Sequence, residues 1–328
     1  MKKLIALLIA SVMMLSLVSL VGCQSTPANL KLGLGISVSA SGTDASADAN
    51  GTDALTVTAA AVLVDNEGKI VKVVLDCADS SVEHTANGQA VAVESFKTKL
   101  ELGDDYGMKN PTYGSAKEWY EHAEIFCNLV VGKTATEVKA LVAENAKGTE
   151  EVLNAGCTIY VSDFATAIDK AITNAVESNA TANDTLKLGV ATSQTATDAT
   201  AEENGSNKIE TYLCAAAVDA EGKIVAAKSD CVEATIGFDA EGKTTFDPTV
   251  KILSKGELGD DYGMKNPTYG SAKEWYEHAA AFDAACLGKK ASEVNSLMGN
   301  DGKGVADLQD AGCTIYVSGF VKAAAKIG

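Results

Sequence analysis

The sequence predicts an α+β protein of two tandem homologous domains, each an antiparallel β meander packed by about three helices. The first observation is a repeat, because the 22 residues ELGDDYGMKNPTYGSAKEWYEH at 101–122 recur unchanged at 257–278. The second is a β-rich run broken by a turn at 55–77. The third is a helical period of apolar residues around the repeated blocks. A unit of about 145 residues suits a globular domain and is too long for a solenoid repeat.

Residues 1–23 have the pattern of a bacterial lipoprotein signal peptide. Lys2 and Lys3 precede an apolar run at 4–20, and a lipobox-like LVGC ends at Cys23. Cys23 is then the lipidated first residue of the mature protein, held by acyl chains such as palmitate on the extracytoplasmic face of a bacterial cell membrane. The alternative is a single transmembrane anchor, although the run is short for a spanning helix and ends in small residues.

The repeat sets the domain boundaries. After a short tether at 24–29, a first repeat domain spans 30–176 and a second spans 186–328; they are called here the first copy and the second copy. The polar, small-residue segment 177–185 between them is typical of a linker. Identity between the copies follows either from shared constraint or from recent duplication.

Turn and capping residues place the elements of the first copy. Asn66, Glu67 and Gly68 interrupt the β-rich run and predict a hairpin. SAKE at 115–118 reads as a capping box, which opens a helix ending at Gly132. A second helix is expected at about 136–145, and Ser162 is expected to cap a last helix. The predicted inward stripes of these two longer helices are Trp119, Ala123, Phe126 and Val130, and Phe164, Ala167, Ile168 and Ala171.

Charge and motif content exclude several functions. The formal net charge is −17 and all 27 basic residues are lysines, without the clustered basic charge that nucleic acid or an anionic membrane surface requires. The sequence contains no GxSxG, P-loop or GxGxxG motif. Its three histidines show no pairing with a nucleophile, and His84 has no counterpart in the second copy. These features argue against a Ser/His/Asp hydrolase.

Seven cysteines follow Cys23, and none lies in a CxxC pair, which excludes a zinc ribbon. An exported chain permits disulfides, but an odd number leaves at least one thiol unpaired within the molecule. The matched positions of the two copies allow the bonds Cys77–Cys157 and Cys231–Cys313.

Two acidic features are weak candidates for metal binding. The paired carboxylates of GDDYGM are suited to a hard cation such as calcium, with turn chemistry as the simpler interpretation. The residues concerned are Asp104, Asp105, Asp260 and Asp261. Glu118 and His122 lie one helical turn apart, where they either share a ligand or form a solvated helix face. A metal-dependent enzyme is thus a third hypothesis.

The repeated block also carries an aromatic cluster, Trp119, Tyr120 and Tyr113, which recurs as Trp275, Tyr276 and Tyr269. Trp119 is expected to fill the core of a small domain. The alternative is that one of these rings stacks on a planar ligand.

A second repeated stretch, AGCTIYVS at 155–162 and 311–318, supports a more specific hypothesis. The stretch NAGCTI, followed by SDF and AIDKAI, resembles the end of the bacterial FMN-binding domain family, in which a Ser-Gly-Ala-Thr precedes a capped helix. The EGKI turn at 67–70 and 221–224 also looks like a strand pairing of that family. This chain has Ala-Gly-Cys-Thr instead, lacks an evident N-terminal strand with glycine and tyrosine, and adds the ELGDDYGM…EWYEH block.

The resemblance implies that Thr158 and Thr314 carry FMN through a phosphoester bond installed by a flavin transferase. The residues implied to support the cofactor are Gly156, Gly312, Cys157, Cys313, Ser162 and Ser318. A glycine before the attachment site lets the backbone expose the hydroxyl, and a helix begun at Ser162 or Ser318 has amides that help to hold a phosphate. The repeat unit as a whole also resembles repeats in lipoproteins of anaerobic Gram-positive bacteria.

The sequence therefore indicates a membrane-anchored lipoprotein that binds or carries flavin and transfers electrons to redox partner proteins outside the cell. It is expected to be an electron carrier or a binding protein more than a turnover enzyme. The alternative is a non-catalytic surface lipoprotein that binds a small molecule or a partner protein.

Overall fold

The computed structural model of the protein describes residues 29–110, 112, 114–266 and 270–328. The predicted signal peptide, the predicted lipidation site Cys23, Tyr113 and Tyr269 lie outside these residues.

The first copy forms an antiparallel sheet of five strands in the order β4-β3-β2-β1-β5. The strands are β1 (Lys31–Gly42), β2 (Gly51–Val64), β3 (Ile70–His84), β4 (Ala90–Val91) and β5 (Val176–Glu177). β2 and β3 form the predicted hairpin, with Val62 opposite Val73. The Asp65 carboxylate accepts hydrogen bonds from the amides of Glu67 and Lys69 at 2.9 Å each.

The second copy forms an antiparallel sheet in the order β6-β7-β8. Its strands are β6 (Thr185–Thr197), β7 (Gly205–Val218) and β8 (Ile224–Phe238). The β7–β8 turn repeats that of the first copy, since the Asp219 carboxylate accepts from the amides of Glu221 and Lys223.

Short and long helices follow each sheet in the same order. In the first copy they are α1 (Lys99–Leu102), α2 (Trp119–Val130), α3 (Ala135–Lys139), α4 (Glu150–Ala155) and α5 (Ser162–Thr173). In the second they are α6 (Lys255–Leu258), α7 (Trp275–Cys286), α8 (Ala306–Asp310) and α9 (Ser318–Ala325), with a 3-10 helix at Ala291–Leu297. A 3-10 turn also follows α1 and α6, at Gly103–Tyr106 and Gly259–Tyr262. The sequence predicts an α+β fold, and the structure confirms it.

Two predicted helix starts are wrong. α2 begins after Glu118, not after Ser115, and the Glu121 carboxylate accepts the Glu118 amide at 2.8 Å. Ser162 is the first residue of α5 and does not cap it; Val161 occupies the cap position without a side-chain hydrogen bond. The expected second helix is limited to α3. The predicted inward stripes of α2 and α5 are buried, as the sequence indicates.

The two sheets pack face to face, and the helices cover their outer faces. Leu34, Val57, Ile209 and Val232, two from each copy, share one apolar cluster between the sheets. A second cluster lies between the first sheet and its helices, and a third lies between the second sheet and its helices. The layers are therefore helices, sheet, sheet and helices. The two copies therefore share a central core. The sequence analysis expected two domains joined by a linker and did not predict this shared core.

Glycine in the repeated KLG stretch sets how closely a helix approaches its sheet. A Cβ on Gly33 would collide with the carbonyl oxygen of Ala171 in α5, and a Cβ on Gly189 would collide with that of Ala323 in α9. The missing side chain lets each helix backbone lie directly on the sheet.

The connecting segment 177–185 is packed against the first sheet. Glu177 pairs with Lys31 in β5–β1, and the Leu30 amide donates to the Ala180 carbonyl at 2.7 Å. Ala180 is completely buried in the cluster between the sheets. This segment is thus part of the shared core and not a free tether.

A buried polar cluster joins the copies at one end of the sandwich. His84 Nδ1 lies 3.0 Å from the Asp53 carboxylate, and its Nε2 lies 3.1 Å from the carbonyl of Gly242 in the second copy. The Asn207 amide of the second copy donates to the same carboxylate at 2.7 Å. The imidazole stacks on Phe238 with a centroid separation of 4.3 Å. His84 therefore fixes the two sheets together, and the pairing with Asp53 gives it a structural role.

Candidate functional site

The two stretches that repeat without change meet at the segments around Thr158 and Thr314. Both threonines are exposed, and each follows a fully buried cysteine. The glycine before that cysteine has a left-handed backbone, with φ of 101° at Gly156 and 104° at Gly312. This conformation turns the chain sharply, and of the two residues that follow it the cysteine is buried and the threonine is exposed.

A buried histidine from the repeated block anchors each threonine segment. In the second copy, His278 Nδ1 lies 2.9 Å from the Gly312 carbonyl and 3.3 Å from the Thr314 amide nitrogen. In the first, the Thr158 amide lies 3.4 Å from His122 Nδ1. His122 is 1% exposed and His278 is 2% exposed, so the expectation of a solvated helix face is wrong.

The other ring nitrogen of each histidine contacts a serine of the same block. His122 Nε2 lies 3.3 Å from Ser115 Oγ, and His278 Nε2 lies 3.2 Å from Ser271 Oγ. Burial lowers the pKa of both histidines, and the ammonium groups of Lys117 and Lys273 lower it further. The imidazoles are therefore neutral at physiological pH, as expected of groups that hold loops together.

A lysine of the repeated block lies beside each left-handed glycine. A Cβ on Gly156 would be 3.2 Å from Lys117 Nζ, and a Cβ on Gly312 would collide with Lys273 Nζ. Each glycine thus leaves a space that the lysine ammonium enters, two residues before the threonine. This arrangement places one positive charge beside the glycine that precedes the Cys-Thr pair in both copies.

Cys157 and Cys313 are free thiols in the structure. Burial raises the pKa of each to about 11, so neither is a reactive thiolate. The disulfides that the sequence allows, Cys77–Cys157 and Cys231–Cys313, are not formed, since all seven cysteines of the described residues are free. Cys77 lies instead against Thr58, with its sulfur 3.6 Å from the hydroxyl oxygen. These cysteines fill the apolar core.

Ser162 and Ser318 lie in the first turn of α5 and α9, each half-buried. Neither caps its helix, so the predicted phosphate support from a serine cap is not present. Among the described residues of α5 and α9, the backbone amides of the first turn are the groups left to bind a phosphate.

The acidic loops are held by hydrogen bonds and not arranged around a cation. The Tyr120 hydroxyl donates to Asp104 at 3.0 Å, and Tyr276 donates to Asp260 at 3.1 Å. Within the part of the chain that the structure describes, no group of three or more His, Cys, Asp or Glu side chains is placed to hold a metal ion. Asp105 and Asp261 lie in the same 3-10 turns.

Glu118 and Glu274 organise the chain before α2 and α7. The buried Glu118 carboxylate accepts the amides of Met108 at 2.9 Å and Lys109 at 3.0 Å, and Glu274 repeats both bonds. Glu118 and His122 therefore bind different loops and do not share a ligand.

The tryptophans of the block lie in the core, whereas Tyr120 is half-buried and Tyr276 is exposed. Trp119 and Trp275 are 4% and 2% exposed, which confirms the core interpretation. A lysine ammonium lies over each indole, Lys99 at 5.9 Å and Lys255 at 5.8 Å from the ring centroid.

Sequence reasoning identified the threonines but missed Ser115, Lys117 and His122 as their neighbours. The signal was present, because all three lie in the block at 101–122 that is identical in both copies. If residues from two distant stretches form one site, both stretches are expected to stay identical between the copies. The shared identity of these two stretches therefore indicates that they touch.

Comparison with known proteins gives one partial similarity. No family model matches the chain, and no solved structure matches it. A chlorophenol reductase of Desulfitobacterium hafniense is 34% identical over 103 residues, which cover 26% of this chain and 30% of that protein. The chain thus spans less than a third of the length of this relative. In the described residues, no helix is long and apolar enough to cross a membrane.

Proposed function

We propose that the protein is a lipid-anchored extracytoplasmic flavin carrier in which Thr158 and Thr314 each hold FMN through a phosphoester bond. The observation that carries the proposal is the repeated surrounding of these residues. In each copy an exposed threonine comes two residues after a left-handed glycine. A lysine ammonium lies beside that glycine, and a buried histidine contacts the threonine amide. Both sites are built from stretches that are identical in the two copies.

The residues around Thr158 suit a phosphate group. A phosphodiester carries negative charge, which the Lys117 ammonium attracts, and Gly156 leaves the space that this ammonium occupies. Neutral His122 fixes the backbone on both sides of Cys157, so the threonine is held in a defined position. Lys273, Gly312 and His278 repeat these features around Thr314.

An aromatic surface lies close to each threonine. Tyr160 is 66% exposed and Tyr316 is 65% exposed, each two residues after the threonine. The ammonium group of Lys147 lies 5.5 Å from the centroid of the Tyr160 ring, and that of Lys303 lies 5.6 Å from the centroid of the Tyr316 ring. An exposed tyrosine presents a face on which a planar ring system can stack. FMN itself supplies the redox chemistry, while the chain supplies attachment and orientation.

The remaining parts of the proposal concern location and partners. The signal pattern and Cys23 support attachment to the extracytoplasmic face of a cell membrane. A flavin transferase is the partner needed for attachment, and redox proteins are the partners needed for electron transfer. The partial similarity to a protein named chlorophenol reductase agrees with a role in redox chemistry.

The test is an intact mass and a visible spectrum of the mature protein purified from its own host. The proposal predicts a yellow protein with two FMN-sized mass increments that survive denaturation and map to Thr158 and Thr314. Replacing both threonines by alanine removes colour and mass. Thr166→Ala, at an exposed site on α5, is the matched control and keeps both. A colourless protein with only polypeptide and lipid mass contradicts the proposal.

The second candidate function is a surface lipoprotein that binds a small molecule without carrying flavin. A separate observation favours it, namely a large groove between the copies, whose chemistry is argued next.

A further inference from the structure

A groove of about 1170 Å³ lies between the two copies. One wall is the end of α5 and the segment after it, including Asn174 and Val176. The opposite wall is β8 and the outer face of α7. Because both copies contribute, the groove exists only in the assembled sandwich.

Two carboxylates lie at the base of the groove. Asp283 on α7 accepts hydrogen bonds from the Ser229 hydroxyl at 2.6 Å and the Ser229 amide at 2.9 Å. Asp230 accepts from the Ser254 hydroxyl at 2.6 Å and the Gly256 amide at 2.8 Å. Both side chains line the groove and are partly buried.

The charges of the groove do not balance. Lys170 pairs with Glu257 at 2.5 Å, Lys139 with Asp169 at 2.9 Å, and Lys31 with Glu177 at 3.0 Å. No described lysine forms an ion pair with Asp283 or Asp230. The nearby Lys228 donates instead to the Asn174 carbonyl across the groove, at 2.8 Å. Asp283 and Asp230 therefore have one lysine near them, Lys228, and its ammonium group donates to a backbone carbonyl and not to either carboxylate.

The α7 wall is apolar and unobstructed. Tyr276 and Leu287 are 41% and 43% exposed, and the alanines between them, Ala280 and Ala284, are also exposed. Small side chains at this spacing leave a channel along one helix face, with a tyrosine at one end. Tyr276 lies two helical turns before Asp283 on the same helix, so the face offers an aromatic ring at one end and, near the other, a carboxylate without an ion-pair partner among the described residues.

We propose that this groove binds an organic cation, an amine or quaternary ammonium group on an apolar body. The positive group lies beside Asp283, and the body lies along the face formed by Tyr276, Ala280 and Ala284. The proposal is independent of flavin at Thr158 and Thr314, because neither threonine lines the groove.

The ionisation of Asp283 supports this assignment. Burial raises its pKa to about 6, while Ser229 and Lys228 on β8 act in the opposite direction and Asp230 adds to the rise. The other titratable groups that interact with it are the thiols of Cys214, Cys286 and Cys313. The carboxyl is therefore charged above pH 6 and becomes neutral below it, so cation binding weakens on acidification.

The experiment uses phenethylamine as the probe and phenylacetate as its matched anion, with titration calorimetry on the full-length protein. The proposal predicts binding of the amine, no binding of the carboxylate, and a loss of affinity of about tenfold between about pH 7.5 and about pH 5. Binding of both probes with similar affinity, or of neither, overturns it.

Variants locate the site. Ala280→Gln with Ala284→Asn installs uncharged side chains of the size that the first copy carries at the same helical positions, Glu124 and Asn128, and abolishes binding by filling the channel. The reverse change, Glu124→Ala with Asn128→Ala, lies outside the groove and leaves affinity unchanged. All four positions are exposed, so the fold is retained.

Asp283→Asn weakens binding about tenfold or more. Unchanged affinity in the filled variant overturns the proposal, whereas Thr158→Ala with Thr314→Ala leaves binding intact.

Discussion

The two copies build the same threonine site but differ on the outer face of one helix. Around Thr158 and Thr314 the partners are identical, from the serine and lysine to the histidine and glycine. On α2 the exposed face carries Glu124, Cys127 and Asn128, whereas on α7 the same positions carry Ala280, Asp283 and Ala284.

The contrast at Cys127 and Asp283 extends to the neighbouring strand. Asp283 binds the side chain and amide of Ser229, whereas Cys127 faces the backbone of Leu75 at the matching position of β3. Burial raises the pKa of Cys127 to about 12, so this thiol is neutral. The first copy therefore has an uncharged residue where the second has a titrating carboxyl. The comparison separates an arrangement that both copies share, around the threonines, from one that only the second copy has, at Asp283.

The largest expected effect comes from changing one threonine at a time. Thr158→Ala and Thr314→Ala each remove one FMN-sized increment completely and leave the other, because the two sites have the same partners. Intact mass after denaturation measures this. If one single variant removes both increments or neither, the copies are not equivalent as flavin sites.

The next effect is on stability, through the histidines that anchor the threonine segments. His122→Ala and His278→Ala each remove a buried side chain and leave a serine and backbone groups without their partner, at a cost of roughly 3 kcal/mol. Urea unfolding of the full chain measures both. Costs that differ greatly between the copies would contradict the similarity of the two sites.

Exchanging the residue that differs should change how the stability of the protein depends on pH. The pKa of Asp283 is raised in the folded protein, so its carboxyl favours the folded state below its unfolded pKa, and that contribution is lost as pH rises through about 6. Asp283→Cys is therefore expected to stabilise the protein above pH 6 by roughly 2 kcal/mol, after allowance for partial exposure, and by little near pH 4. Cys127→Asp should do the reverse. Equal gains at both pH values would contradict the assignment.

The smallest effect concerns the glycines beside the lysines. Alanine at Gly156 or Gly312 adopts an unfavourable left-handed conformation, at a cost of about 1–2 kcal/mol. The cost is expected to be greater at Gly312, where the new methyl group collides with Lys273 and not merely approaches it. Thermal unfolding of the two variants side by side checks the order, and a greater cost at Gly156 would reverse it.

Local patterns predicted the local structure well. The apolar stripes of α2 and α5 and the turn between β2 and β3 are set by residues near one another in sequence, which is why periodicity and turn chemistry identify them. Glu118 was misjudged because its carboxylate binds the amides of Met108 and Lys109, and the path of that loop is not visible in the capping pattern.

Long-range features were beyond the sequence pattern. Nothing in the alternation of β2 shows that its inner face packs against another sheet and not against helices, because both partners are apolar. The cysteine positions allowed disulfides, and the folded chain does bring Cys77 and Cys157 into the same apolar cluster, but both are free thiols there. The groove depends on the relative placement of the copies, which no local motif encodes.

The shared core has a consequence for the ancestry of the chain and for its dissection. One copy expressed alone would expose the inner face of its sheet, including Leu34 and Val57 or Ile209 and Val232, to water. Such a polypeptide is expected to self-associate through that face, in a two-fold dimer that mimics the present sandwich. The repeated blocks agree with an origin of the full-length protein by duplication and fusion of such a unit. A fused pair need not stay symmetric, and the copies differ at Cys127 and Asp283.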